Sequence, residues 1–598
     1  MGMFIAVVPN RKSRPTILLR ETYREDGKVR NRTLANLTDW APEKIAALAS
    51  ALDAARSGNV GTGMIELLAT IPHGHVHAVL GTLRRLELEQ VLLTRRCRER
   101  DLVTAMIVAR VLDPGSKLST HRAFGHTTLG EVMDVADAKP EELYTALDWL
   151  LARQEAVEAK LAKRHLVDGS LLLYDLTTVW FEGEKCELGK FGHSKEGRSN
   201  KLQILVGLLC NREGIPISIQ VFEGNASETG TLEGQIQKVR ERFGLKHIVF
   251  IADRGILRSV RIKEDLGPMG LDWITALRKP AIRELIQKGA FQPSLFEEVD
   301  FAEIEDPAYP GERLIVCRNP ILAHDRARRR EELLSRTEKG LKGIQDSVNR
   351  ETRPLRGEDQ IGLKVGGLLN RFNVGKFFDL TITDQQFAFH RKEVQIHEDA
   401  ALDGFYVIRT SLDKQTMDAA ETVMAYKGLA KVETAFKQMT NGQDWPLGPI
   451  EGWPEGRGPG KARVRTEDLE IRPIYHRLAD RVKAHVFLCM LAYYVEWHLR
   501  RDLAPLLFGE GDSRLAEAQR KSPVEPARPS APTKAKRGRK RTEDGFMVHN
   551  FRDLLRDLAS LSLCTCQATG SKLPPFKRYT QPSPYQKRAF DLLQLTPP

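Results

Sequence analysis

Three carboxylates stand out in this chain because of the residues around them. Asp175 lies within an apolar run, Leu171-Leu172-Leu173-Tyr174-Asp175, that reads as a strand from 170 to 183. A carboxylate in such a place is costly unless it is paired or bound to a cation, so Asp175 is either a metal ligand or half of a salt bridge. Asp253 closes the short apolar strand His247 to Ala252 and is followed by Arg254-Gly255, where the glycine lets the chain turn. An acid at the C-terminal end of an α/β strand is a common site position, and equally a common loop start or helix cap. Glu433 falls in a long helical pattern from 416 to 440, with Tyr426 two turns before it and Lys437 one turn after it. An acid, a base and a phenol then lie near one face, an arrangement better suited to a DNA phosphate beside a metal than to packing. Carboxylates clustered on rigid elements are what two-metal phosphodiester chemistry needs. They hold two hard cations about 3.5–4 Å apart, one serving the nucleophile and one the leaving oxygen.

The elements that must position these acids follow from the pattern. Residues 170–183, two strands within 201–224, a helix at 231–244, a strand at 246–255 and another at 271–279 succeed one another. Three consecutive strands, a helix, a strand, a helix and a strand give the order of a ribonuclease-H-like core, so the fold class is α/β. The strand at 403–412 resumes that core, and 472–503 holds a further helix, strongly apolar on one face. We divide the chain into an N-terminal β-hairpin segment (1–40), a helical region (41–166), the catalytic core (167–280 and 400–503), an insertion (281–399), a Pro/basic linker (504–544) and a tail (545–598) with one helix. Asp26-Gly27 marks the turn of the hairpin. Pro523, Pro526, Pro529 and Pro532 recur every third residue and suggest polyproline II, followed by a basic run from Lys534 to Arg541. The plain reading of that stretch is a tether, compatible with a phosphate-binding arm.

Composition sets limits on function. The chain has 598 residues, 41% hydrophobic and 28% charged, values near those of soluble globular proteins. A net charge of +12 points to a polyanion, nucleic acid first, with a merely solvated basic surface as the alternative. Of the seven cysteines only Cys564 and Cys566 lie close together, which argues against structural zinc and suits a reducing cytoplasm. No apolar stretch is long enough to span a membrane, and the N-terminal one is too short for a signal peptide.

Tyr174-Asp175-Leu176-Thr177-Thr178, the Ala252-Asp253-Arg254-Gly255 turn and the Tyr426 to Lys437 helix together resemble bacterial insertion-sequence transposases of the DDE type. One subgroup carries a Tyr-x2-Arg-x3-Glu-x6-Lys signature on its last catalytic helix. Tyr426 and Glu433 match it, but Leu429 stands in place of the Arg and Thr440 in place of the Lys. Lys427, Lys431 and Lys437 are the cations left to contact phosphate, and Lys437 is best placed. The run from Arg472 to His476, with the helix after it, resembles the segment following the catalytic Glu in one branch of the subgroup.

The resemblance implies a transposase in which Asp175, Asp253 and Glu433 bind two Mg2+ ions, Mn2+ being able to substitute. It implies double-stranded DNA partners, both element ends and target, engaged by a homodimer or larger synaptic complex in the bacterial cytoplasm at the nucleoid. Cleavage and strand transfer follow without a covalent protein–DNA bond, and 41–166 is the expected reader of the terminal inverted repeats. Tyr426, Lys437 and Arg254 are candidate DNA contacts. So are Lys195, Arg198 and Lys201, which lie in the loop between the first two core strands. A ribonuclease-H-like nuclease without strand transfer, or an inactive DNA-binding derivative, is the alternative. Two motifs are set aside. The run 456–462, Gly-Arg-Gly-Pro-Gly-Lys-Ala, lacks the Ser/Thr of a phosphate loop, and His485 with Cys489, one turn apart, reads as a packed core pair.

Overall fold

The computed structural model of the chain describes residues 2–10, 14–57, 65–183, 185–192, 200–297, 299–440, 469, 471, 474–511, 516–517, 520, 522–525, 528–568 and 574–598. Its centre is a mixed eight-stranded sheet, consistent with a ribonuclease-H-like DDE domain. Strands β5 (Ser170–Trp180), β6 (Gln203–Asn211) and β7 (Pro216–Glu223) form an antiparallel meander; β8 (Ile248–Ala252) and β9 (Asp272–Ala276) then run parallel to β5 on its other side. Every residue of β6 and β8 is buried, as expected of strands covered on both faces. Strands β10 (Phe301–Ile304), β11 (Arg313–Arg318) and β14 (Phe405–Thr410) extend the sheet antiparallel beyond β9. Part of the 281–399 insertion therefore belongs to the core sheet. The remainder of it, comprising α12 (Pro320–Asn349), α13 (Glu358–Phe372), the β12–β13 hairpin (Phe378–Ile382, Phe387–Arg391) and α14 (Glu393–Ala400), has a small core of its own around Leu334, Leu341, Ile361 and Phe377.

At the N-terminus β1 (Met3–Val8), β2 (Thr16–Glu25) and β3 (Lys28–Asn36) form an antiparallel sheet. Asp26 and Gly27 both take positive φ, as the tight turn at the hairpin tip requires. Helix α1 (Pro42–Ser57) covers one face through Ile45 and Ala49. The region 41–166 is not wholly helical. Strand β4 (Ile65–Pro72) precedes α2 (Gly74–Arg85) and α4 (Arg98–Leu112). Helices α7 (Pro140–Leu151) and α8 (Gln154–His165) follow, separated at Ala152 and Arg153.

Helix α17 (Ala479–Asp502) joins this layer to the core. It packs against α2, α4 and α7 on one side and β7 on the other, and its residues from Val482 to Glu496 are almost all buried. The single apolar face expected of it is thus a helix enclosed on all sides. Its buried Glu496 is held by Arg500, whose Nε donates at 2.6 Å. His485 and Cys489 sit within it with Sγ 3.9 Å from Nε2, in keeping with a packed pair.

The linker and tail differ most from their expected forms. Val524 is buried, and Lys427 donates to its carbonyl and to that of Glu525 at 3.2 Å. The basic run lies largely on a helix, Ala531–Arg539, capped by Ser530 and anchored through Lys536 to the Ala504 carbonyl at 3.0 Å. In the tail, helix Phe551–Ala559 packs on α2, and β15 (Ser562–Ala568) lies between β4 and β16 (Phe576–Tyr579), ahead of a last helix, Pro584–Leu592. Pro and Lys/Arg composition cannot signal this docking, because the partners lie well outside any local pattern, 32 positions away for Lys536 and 97 for Val524. Among the described residues no helix is long and apolar enough to cross a membrane.

Because the tail is part of the core, Phe551→Ala should lower the unfolding free energy by about 3–5 kcal/mol, the usual cost of emptying a buried aromatic site. Denaturant titration of the full chain measures this; a tail acting as a tether would show no change.

Candidate active site

The site is built where β8 stops and β5 continues. The two strands pair in parallel register from Ser170 opposite Ile248 to Tyr174 opposite Ala252. One residue further on, Asp175 and Asp253 follow as the next positions of the two chains. Asp175 remains within β5, paired to Leu208 of β6 on its other side, and its Oδ1 accepts the Leu176 amide at 2.8 Å. Asp253 is exposed, and its carbonyl accepts the amides of Ile256 and Leu257 at 2.9 and 3.0 Å, which turns the chain back. Asp253 thus stands at the end of its strand and begins a loop, as one of its alternative readings has it.

The long helix expected over 416–440 is divided into α15 (Ala419–Lys427) and α16 (Leu429–Met439) at Gly428. A Cβ there would stand 2.8 Å from the Ala425 carbonyl and 3.4 Å from Leu173 Cδ2, so the absence of a side chain lets the helices approach β5 closely. Tyr426, at the end of α15, donates from its hydroxyl to Asp253 Oδ1 at 3.4 Å. Burial, first, and then the negative charge of Asp253 push this phenol well above its ordinary range, and Asp175 adds to the effect while Arg254 opposes it. The phenol is therefore neutral at physiological pH and faces both aspartates. Helix α16 packs on β5 and β6 through Val432, Ala435, Phe436 and Met439. Glu433 is on its exposed side and forms an ion pair with Lys437, 3.8 Å away.

The structure brings Asp175, Asp253, Tyr426 and Arg254 together, whereas Glu433 is held with Lys437 on the adjoining helix. Among the described residues no three His, Cys, Asp or Glu side chains converge closely enough to hold a metal ion. Lys195 and Arg198, like Arg472, Pro473 and the set-aside 456–462 segment, lie outside the described residues. Lys201 pairs with Glu182 at 2.8 Å. It lies two residues before Gln203, which is opposite Trp180, so it stands level with residue 182, about 23 Å along the strand from Asp175 at 3.3 Å per residue. β5 thus runs on past the acid before the loop that carries Lys201 begins.

Sequence reasoning missed Glu228. A Cβ on Gly255 would stand 2.9 Å from Glu228 Oε2 and 3.8 Å from Asp253 Oδ2, so the glycine after Asp253 makes room for a further carboxylate. Glu228 also lies close enough to the buried Tyr174 phenol to help raise it. Its only local sign is its position in the loop after β7, 25 residues before Asp253, a separation with no periodic meaning.

With this geometry established, comparison with known families agrees with it. Residues 5–60 match the IS1634 family transposase N-terminal domain, and residues 167–445 match the transposase DDE domain, which spans all three candidate acids. The chain belongs to the insertion-sequence DDE transposases and is a DNA transposase enzyme, a class whose partners are DNA and which works with divalent metal ions. No curated protein matches it.

The raised Tyr426 phenol has a consequence for stability. Folded Tyr426 keeps its proton where the unfolded residue loses it, so its contribution is constant below about pH 10 and is lost as pH rises above that value. Chemical denaturation at pH 8 and at pH 11 should show a smaller alkaline loss for Tyr426→Phe than for the wild type, and phenolate absorbance of the folded wild type should exclude this residue.

Proposed function

We propose that the chain binds the terminal inverted repeats of its own mobile element and carries out Mg2+-dependent cleavage and strand transfer, with Asp175, Asp253 and Glu433 as the metal-binding carboxylates. The observation that carries this reading is the side-by-side placement of Asp175 and Asp253 at the end of the β5–β8 pair, with Tyr426 against them. Their hard oxygen donors fit Mg2+ or Mn2+, and Ca2+, with its longer and looser coordination, fits a two-metal site poorly. When bound, two such ions supply the positive charge that favours the attacking and leaving oxygens of an in-line displacement.

The chain's own residues supply orientation. The Leu176 amide and the Tyr426 hydroxyl fix one oxygen each of Asp175 and Asp253. Glu433 would complete the donor set on release from its ion pair with Lys437, and Lys437 and Arg254 would then be available to the phosphate. The nucleophile is water for cleavage and the freed 3′-OH of the element for strand transfer, so no protein side chain becomes bonded to DNA. A dimer or larger assembly holds two ends together.

Asp175→Ala, Asp253→Ala and Glu433→Ala should each reduce cleavage at least about 100-fold while end binding persists, because metal ligands act on the transition state. Gel assays with an end duplex in Mg2+, Mn2+ and Ca2+ measure this. Normal cleavage by a variant removes its residue from the set, full activity in chelator refutes the metal requirement, and nicking without joining to target favours the nuclease alternative.

Lys437→Ala should also lower the slope of log affinity against log salt by about 1, the value of one lost phosphate contact, whereas Lys431→Ala should not. Lys431 is pinned to Glu517 at 2.9 Å and to the Arg212 carbonyl at 3.1 Å. Equal slopes for the two variants would leave this helix without a phosphate contact at Lys437.

A further inference from the structure

The β2–β3 hairpin extends past the sheet to which it belongs. β1 accompanies β2 only to Glu21, opposite Met3, and α1 packs beneath the base of the sheet, near Ile17 and Leu37. Beyond Thr22 the two strands continue alone to Asp26-Gly27, and every residue from Arg24 to Leu34 is exposed. A two-stranded ribbon that buries neither face is marginal in water. Val29, at its outer end, is 63% exposed, although burial is what a valine in a strand ordinarily gains.

The two faces of the ribbon differ. On the face continuous with the α1 side, the arginines are neutralised: Arg32 pairs with Glu21 at 2.7 Å and Arg30 with Glu25 at 2.8 Å. The opposite face carries the cross-strand pairs Arg20–Thr33, Thr22–Asn31 and Arg24–Val29. Arg20 Nε donates to Thr33 Oγ1 at 3.3 Å and the Thr22 hydroxyl to Asn31 Oδ1 at 2.9 Å, while among the described residues neither Arg20 nor Arg24 has an acidic partner. This face therefore presents two guanidinium groups without acidic partners, an amide, two hydroxyls and an exposed methyl pair.

We infer that this outer face of the β2–β3 ribbon is a docking surface for duplex DNA. A two-stranded ribbon fits the major groove, arginine forks match guanine edges or phosphates, asparagine matches adenine, and an exposed aliphatic group meets the thymine methyl. The assignment moves DNA-end contact from the 41–166 region to 16–36. The physical reason lies in α4: from Arg100 to Val111 all its residues are buried, so the helical layer is committed to the interior. The inference deepens the proposed function and rests on it for the choice of probe.

The test uses the full-length chain with a labelled duplex carrying the element's terminal sequence and a shuffled duplex of equal length. Arg20→Ala with Arg24→Ala should weaken binding to the end duplex about tenfold or more and lower the salt slope by about 2, if each arginine meets a phosphate or base. Glu25→Gln with Arg30→Gln, which dissolves an ion pair on the other face at constant net charge, should change affinity less than about twofold. Arg20→Lys with Arg24→Lys should keep most of the salt slope and lose preference for the end over the shuffled duplex, since lysine lacks the fork. Unchanged thermal unfolding of all three variants confirms that the exposed substitutions leave the fold intact. Wild-type affinity and slope in the double alanine variant overturn the inference, as do equal losses from both faces. A change confined to self-association of the chain overturns it as well. Mg2+-dependent cleavage of the same duplex by the wild type separates the two claims. Binding lost in the double alanine variant without wild-type cleavage refutes the proposed function alone, and cleavage with undiminished binding by that variant refutes this surface alone.

Discussion

The register in which β5 lies beside β8 is the constraint on which the site depends. With Tyr174 opposite Ala252, Asp175 and Asp253 are the next residues of two parallel strands, and β8 ends where its acid is needed. A one-residue slip would turn Asp175 to the other face of the sheet and bury its charge among Leu172, Tyr174 and Leu176, all of them buried. The hydrophobic drive that seals both faces of β6 and β8 thus also aims the carboxylates. Gly255 and Gly428 serve the same end from two directions. One makes room for Glu228 beside Asp253, and the other brings α15 and α16 close enough to β5 for the Tyr426 hydroxyl to reach Asp253.

The remainder of the chain braces that sheet. Helix α17 is buried between β7 and the N-terminal helical layer, and the tail returns to pair β15 with β4. Residues near the two ends of the chain consequently share one sheet, and Gly74 lies so close to the tail that a Cβ would stand 2.3 Å from the Leu558 carbonyl. The Ser522–Glu525 segment is tied to Lys427 at the end of α15, next to Tyr426. Parts of the chain that look peripheral in sequence are thereby mechanically joined to the helix carrying the candidate phenol.

Much of the positive charge is used within the structure. Arg330, Arg391, Arg409 and Arg500 are consumed in ion pairs with Asp403, Glu338, Glu312 and Glu496, and the basic run after residue 530 anchors a helix through Lys536 and Arg537. A net charge of +12 therefore points toward a polyanion without saying where one would be met.

Local pattern alone determined a good deal. The Asp26-Gly27 turn, the strand order from Ser170 to Ala276 and the acids at 175 and 253 were all legible, because alternation, apolar runs and turn residues act over a few positions. The Tyr426 to Lys437 helix was legible as a pattern, and its division at Gly428 was not, since a single glycine is tolerated within a helix until packing against Leu173 gives it a purpose. Only the tertiary structure decided that Glu228 stands beside Asp253, that the linker docks and that β4 is a strand. β4 gains its partner from residues nearly 500 positions later. Such contacts rest on long-range pairing, which leaves no periodic trace in either segment taken alone.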